Sequence, residues 1–155
     1  MPAPTLPDPV PALASALVGM WRLVTRHDHD ADGQRRIDPM MGADPIGILA
    51  FGPSSFSAQF MKRDRAPAAA TAPTPVGANN SAAVNGYDAY FGRYTVDEGQ
   101  GRITLTLEGA VSPASVGVVV TRDVRVSGNA LTIQLATTAF DAVPNTRTLT
   151  FGRVG

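Results

Sequence analysis

Apolar and polar residues alternate along most of this chain in short runs broken by turn formers. That is the period-two pattern of strands, not the 3.6-residue period of helices. Eight runs carry it: GMWRLVTRHDHD, IGILAF, FSAQFM, YFGRYTVD, RITLTLE, VGVVVTRDVRV, LTIQLA and TRTLTFGRV. In the first, Trp21, Leu23, Thr25, His27 and His29 share one face, and Arg22, Arg26, Asp28 and Asp30 share the other, with Val24 the exception. Assigning the charged face to solvent turns the Trp21 face inward, apolar at its start and polar towards its end. By the same alternation Tyr90, Gly92, Tyr94 and Val96 form one face, Ile103, Leu105 and Leu107 another, and Val118, Val120, Arg122, Val124 and Val126 a third. In FSAQFM either Phe56, Ala58 and Phe60 or Ser57, Gln59 and Met61 can face inward, and the pattern leaves both open.

The connections are mostly short. Asp32-Gly33 is a hairpin signal after the first strand, and EGQG and SGNA are tight turns. The run from Ala66 to about Asn80 is unusually long for a strand connection and is expected to be a lid or flexible flap, with a helical turn near Ser81. Ahead of the first strand, Asp8 can cap and Pro9 can open a short helix reaching about Leu17. The chain thus divides into an N-terminal extension with a short helix over 1–16 and one domain over 17–155. The fold expected is all-β, an eight-stranded antiparallel up-and-down β-barrel, which removes sheet edges and leaves an interior able to hold one small ligand.

Composition narrows the partners. The 155 residues hold 13 Lys plus Arg against 13 Asp plus Glu, so no charge excess favours nucleic acid or an anionic membrane. With no cysteine there is no disulfide, thiolate metal site or Cys nucleophile, in keeping with a reducing compartment. The N-terminus lacks the basic region of an export signal and no run approaches a membrane span, so the protein is expected to be soluble and cytoplasmic. Phosphate-cradling loops, G-x-S-x-G and dinucleotide fingerprints are missing, and no cofactor is implied.

Gly19-Met20-Trp21 is similar to the G-x-W that opens the first strand of lipocalins. With LVGMWRLV, DPIGILAF, SAQFMKRDR, AYFGRYTVDE and TRDVRVSGNALTI in order, the chain resembles the bacterial and fungal lipocalin-like domain family. The resemblance implies a single barrel with its short helix plugging one end, and small-molecule binding or isomerase and cyclase roles in specialised metabolism. It also implies that Gly19 and Trp21 are structural, with an arginine of a late strand, Arg122 or Arg153, packed over the indole. Where the family often carries a His pair this chain has Leu105 and Thr106, and where it often carries an aromatic this chain has SPAS.

Chemistry would rest on few groups. His27 and His29 are the only histidines, candidate acid–base residues if they face the cavity, with Tyr94 or Tyr90 as hydroxyl donor. His-x-His is also a metal-ligand spacing, but a third ligand is wanting and no metal is expected. Thr25, Gln59, Tyr90, Leu105 and Val120 are the candidate ligand contacts, and Lys62, Arg63 and Arg65 read as a solvated turn. Two functions follow. One is a carrier of a small apolar metabolite, as monomer or homodimer; the other is a cofactor-independent isomerase, cyclase or hydratase using the same cavity. A protein-binding module has only the long loop in its favour.

Overall fold

Side-chain alternation is obeyed strand after strand, and it closes a sheet on itself. The computed structural model describes residues 1–6, 11–65 and 83–155. A short helix, α1 (Leu13–Leu17), precedes β1 (Gly19–His29), β2 (Arg35–Arg36), β3 (Ile46–Phe51), β4 (Ser55–Met61), β5 (Tyr87–Asp97), β6 (Arg102–Ala110), β7 (Val119–Ser127), β8 (Ala130–Thr138) and β9 (Pro144–Arg153). The sheet order is β1-β3-β4-β5-β6-β7-β8-β9, with β9 returning to β1 and every pairing antiparallel. This is the expected eight-stranded up-and-down barrel. The two-residue β2 is an addition: after a turn in which the Asp30 carboxylate accepts from the amides of Asp32 and Gln34, Arg35 and Arg36 pair back onto His29 and Asp28.

The helix begins at Leu13, later than Pro9. Asp8 and Pro9, like the long Ala66–Asn80 run and Ser81, lie outside the described residues. At Leu13 the start is capped from across the barrel. Both carboxylate oxygens of Glu98, in the β5–β6 turn, accept the amides of Leu13 and Ala14, at 2.8 and 2.9 Å.

The helix end of the barrel is filled. Leu17, Trp21, Ile103 and Leu131 are completely buried, with Phe151 and Phe51 beside them. The Trp21 indole donates to the Leu17 carbonyl at 2.9 Å, and the Arg153 guanidinium carbon lies 4.2 Å from its ring centre. Arg153, not Arg122, therefore covers the tryptophan. It also donates to the carbonyls of Ala16 and Val18, tying the helix down. Gly19 is required here: its φ is +135°, and a Cβ would stand 2.8 Å from Arg153 Nη1.

Two bulges steer the walls. In β5–β6 the register slips between Phe91 and Gly92, and a Cβ on Gly92 would meet the Thr106 carbonyl oxygen at 1.9 Å, so only glycine fits. In β1, Leu23 lies opposite Phe151 while Thr25 lies opposite Thr150, leaving Val24 as an extra residue. An extra residue reverses the alternation beyond it. Arg26 and Asp28 consequently point inward, at 6% and 5% exposure, and His27 points out. The expectation that Thr25, His27 and His29 continue the Trp21 face is thus corrected: it held to Leu23 and failed at the bulge.

Candidate functional site

Above the filled end, the interior becomes charged. β1 contributes Arg26 and Asp28, the segment after β2 contributes Asp38, β5 Asp88 and Tyr90, β7 Arg122, β8 Thr137, and β9 Asn145 and Arg147. Apart from Asp38, each lies on the inward alternation of its strand, with apolar residues such as Phe60, Leu105, Leu135 and Leu149 also facing in. Buried ionisable side chains must pair or shift their proton equilibria, and here they do both.

Asp28 is the hub. Its Oδ1 and Oδ2 accept a fork from Arg147, at 3.0 and 3.1 Å, and Oδ2 also accepts from Arg26 Nη2 at 3.1 Å. Arg26 Nη2 reaches Asp38 as well, at 3.2 Å. Burial works against the charge on Asp28, but the hydrogen bonds and charges of Arg147 and Arg26 outweigh it and hold the carboxyl below its ordinary range.

Asp88 differs. It is 3% exposed and forms no ion pair among the described residues. Burial pushes its carboxyl up, opposed in part by a hydrogen bond with the Ala89 backbone and by the charges of Arg147 and Arg26. Two positions along, burial likewise raises the Tyr90 phenol, which hydrogen-bonds Arg122. Arg122 also donates to the Thr121 carbonyl at 2.9 Å. Arg26 Nη1, Thr137 Oγ1 and Asn145 Oδ1 are buried in this layer without a hydrogen-bond partner among the described residues.

The mouth above the layer is crossed by the segment after β2. Met41 is completely buried beneath it, and Arg36 is ion-paired with Asp141 of the β8–β9 loop. On either side of Ile37 and Asp38 a narrow cleft leads down, one to Asn145 and Arg147, the other to Arg26. Each has about 10 Å³ of room, enough for one water molecule.

A family model for the lipocalin-like domain matches residues 18–153. The chain belongs to this lipocalin-like family. Among curated proteins none matches it. In this barrel the candidates chosen from sequence divide sharply. Tyr90, Leu105 and Val120 do line or pack against the interior. Thr25 is on the outside, its hydroxyl bonded to that of Thr150. Gln59 is exposed, accepts from the Tyr87 hydroxyl, and borders a shallow outer depression of about 300 Å³ with Phe91 and Val111. The inward face of β4 is instead Phe56, Ala58 and Phe60.

His27 and His29 meet each other edge to face on the outer surface, 6.3 Å apart, away from the lipocalin-like interior. Among the described residues no group of three or more His, Cys, Asp or Glu could hold a metal. Tyr94 is buried, but its hydroxyl is bonded to the Gly52 carbonyl at 2.6 Å and its ring packs on Phe51. That hydroxyl is committed to the loop between β3 and β4. Arg26, Asp28, Asp88, Asn145 and Arg147 were missed altogether. One signal pointed to them: Asp88 and Tyr90 share a strand face two residues apart, so an inward Tyr90 carries Asp88 in with it.

Proposed function

We propose that this barrel binds one small, mostly apolar molecule in its interior, tail towards the apolar walls and polar group at the charged layer. The observation that carries the reading is the stratification of the inward side chains. Leu105, Val120, Phe56 and Phe60 provide apolar contact, and Tyr90, Asp88 and Arg122 offer directed polar groups, the arrangement small-molecule sites need. Lack of cysteine suits a cytoplasmic setting, which belongs to the same reading.

A second reading, a cofactor-independent isomerase, cyclase or hydratase, is favoured by one specific group. Asp88 is a buried carboxyl raised above its ordinary value by burial and adjacent on its face to a hydroxyl donor, and it faces the interior as the histidines do not. Native purification, extraction and mass spectrometry of the bound compound test both. A compound recovered unchanged from the wild type and from Asp88→Asn supports the carrier. An altered product with the wild type but unaltered compound with Asp88→Asn supports the enzyme. Recovery of no small molecule, with no stabilisation by any apolar compound tested, counts against the cavity reading itself.

A further inference from the structure

One stretch of the barrel wall is not held by a ladder. Strands β7 and β8 pair from Asp123 with Gln134 to Ser127 with Ala130, and no further. Above that point residues 119–122 pair only with β6, and residues 135–138 only with β9. Two strand edges, four residues each, therefore face one another in the charged half of the barrel. On the β7 edge the Thr121 carbonyl accepts from the Arg122 guanidinium at 2.9 Å. On the β8 edge Thr137 Oγ1 is buried without a hydrogen-bond partner among the described residues. Leu135 and Thr137 are shielded from solvent all the same, so side-chain packing closes this seam where backbone pairing does not.

Among the described residues the wall parts at one other place. β1 and β3 pair only from Gly19 with Phe51 to Arg22 with Ile48. There the gap is crossed: β2 pairs with Asp28 and His29, Asp38 is ion-paired with Arg26, and Arg35 donates to the Ala43 carbonyl. The same segment spans the mouth and leaves clefts of about 10 Å³. We propose that the seam between residues 119–122 and 135–138 is the door through which the apolar molecule enters and leaves the barrel. The inference rests on the cavity reading above and adds its route. Parting fully paired neighbours breaks ladder hydrogen bonds, and opening the mouth breaks ion pairs; parting the seam displaces only packing. Its outward residues, Val119, Thr121, Ala136 and Thr138, are uncharged, so an apolar molecule passes without stripping water from a charge. Behind them stand Val120, opposite Leu105 of β6, and Leu135. Because Arg122 holds the Thr121 carbonyl, that group keeps its partner whether the seam is shut or open.

The chain has no cysteine, so an introduced pair is the only one that can be bridged. Thr121→Cys/Ala136→Cys ties the seam on its outer face, where extending the β7–β8 register sets the two residues opposite. Ile37→Cys/Phe140→Cys ties the mouth, where both residues border one cleft. Each pair is closed as a disulfide, or by a short bismaleimide where the disulfide does not form. The probe is N-phenyl-1-naphthylamine, an uncharged fluorophore, with uptake and release followed by stopped flow. Bridging the seam should slow both rates about tenfold or more and leave the dissociation constant within about twofold, since a barrier acts in both directions. Bridging the mouth should leave both rates within about twofold. In the wild type, seam-facing amides of residues 119–122 and 135–138 should exchange hydrogen faster than the paired amides of 123–127 and 130–134. Thermal melts identify any variant that fails to fold, and the exchange measurement stands without the variants. A seam bridge that leaves the rates unchanged, a mouth bridge that slows them as much, or equal exchange along both halves overturns the inference and leaves the cavity reading in place. Failure of the probe to bind the wild type overturns the cavity reading instead.

Discussion

Asp28 is where the interior is most exposed to damage by a single change. Two guanidinium groups share its oxygens at 3.0 to 3.1 Å, and all three side chains are nearly inaccessible to water. Removing the acid strands two buried cations. Asp28→Ala should therefore cost about 3–5 kcal/mol in urea unfolding, while removing any surface acid such as Asp123 should cost less than about 1 kcal/mol. Because the folded state holds the Asp28 carboxyl below its ordinary value of 3.8, the stability it confers is present above that value and lost as pH falls through the folded one. Asp88 has the opposite sign. Its carboxyl is raised, so folding is progressively disfavoured as pH rises from the ordinary carboxyl range through the folded value. Acid titration of stability should thus be shallower in Asp28→Asn than in the wild type, and equal slopes would mean that the buried fork does not form.

At the scale of elements, one residue is held out of the ladder. Val24 is 61% exposed and contributes little packing, and because it bulges out, the β1 residues beyond Leu23 face opposite to simple alternation. Substitution and deletion should therefore both be tolerated. Val24→Thr should stay within about 0.5 kcal/mol of the wild type, as an exposed strand position does. Deleting Val24 makes Leu23–Phe151 and Thr25–Thr150 successive pairs, so Arg26 and Asp28 keep facing inward, the fork to Arg147 is retained, and the variant should still unfold cooperatively. Circular dichroism with thermal melting checks both; a deletion variant that does not fold would show that the bulge itself is needed to close the barrel. The helix plug depends on distant partners: its N-terminal amides are capped by Glu98 and its C-terminal carbonyls by Arg153.

For the whole molecule, the apolar plug and the charged layer are separated along the barrel axis. The helix end is packed around Trp21, with the indole hydrogen-bonded and covered by Arg153. Trp21→Ala should cost about 3–5 kcal/mol of stability, measured by urea unfolding. A Trp21→Ala protein of full stability would show that the closed end is not the core of the fold. The charged end carries the opposite character: ionisable groups there replace apolar packing, and the segment that crosses the mouth is tied by ion pairs to the interior and to the β8–β9 loop.

The barrel itself was legible from residues alone, since eight alternating runs with turn formers between them leave an antiparallel sheet few other ways to bury its apolar faces. The same alternation correctly oriented Tyr90, Leu105 and Arg122, because apolar neighbours on their own strands marked the inward side. It failed in β1 beyond Leu23, where both faces are polar: with no apolar residue to mark the inside, alternation carries no information about orientation. Charge was then assigned to solvent, the usual outcome for an isolated Asp or Arg. Tertiary structure decided otherwise, because β9 brings Arg147 opposite Asp28 and the segment after β2 brings Asp38 to Arg26. Those pairings join residues far apart in the chain, and only they make it favourable for the bulge to turn charge inward and the histidines out.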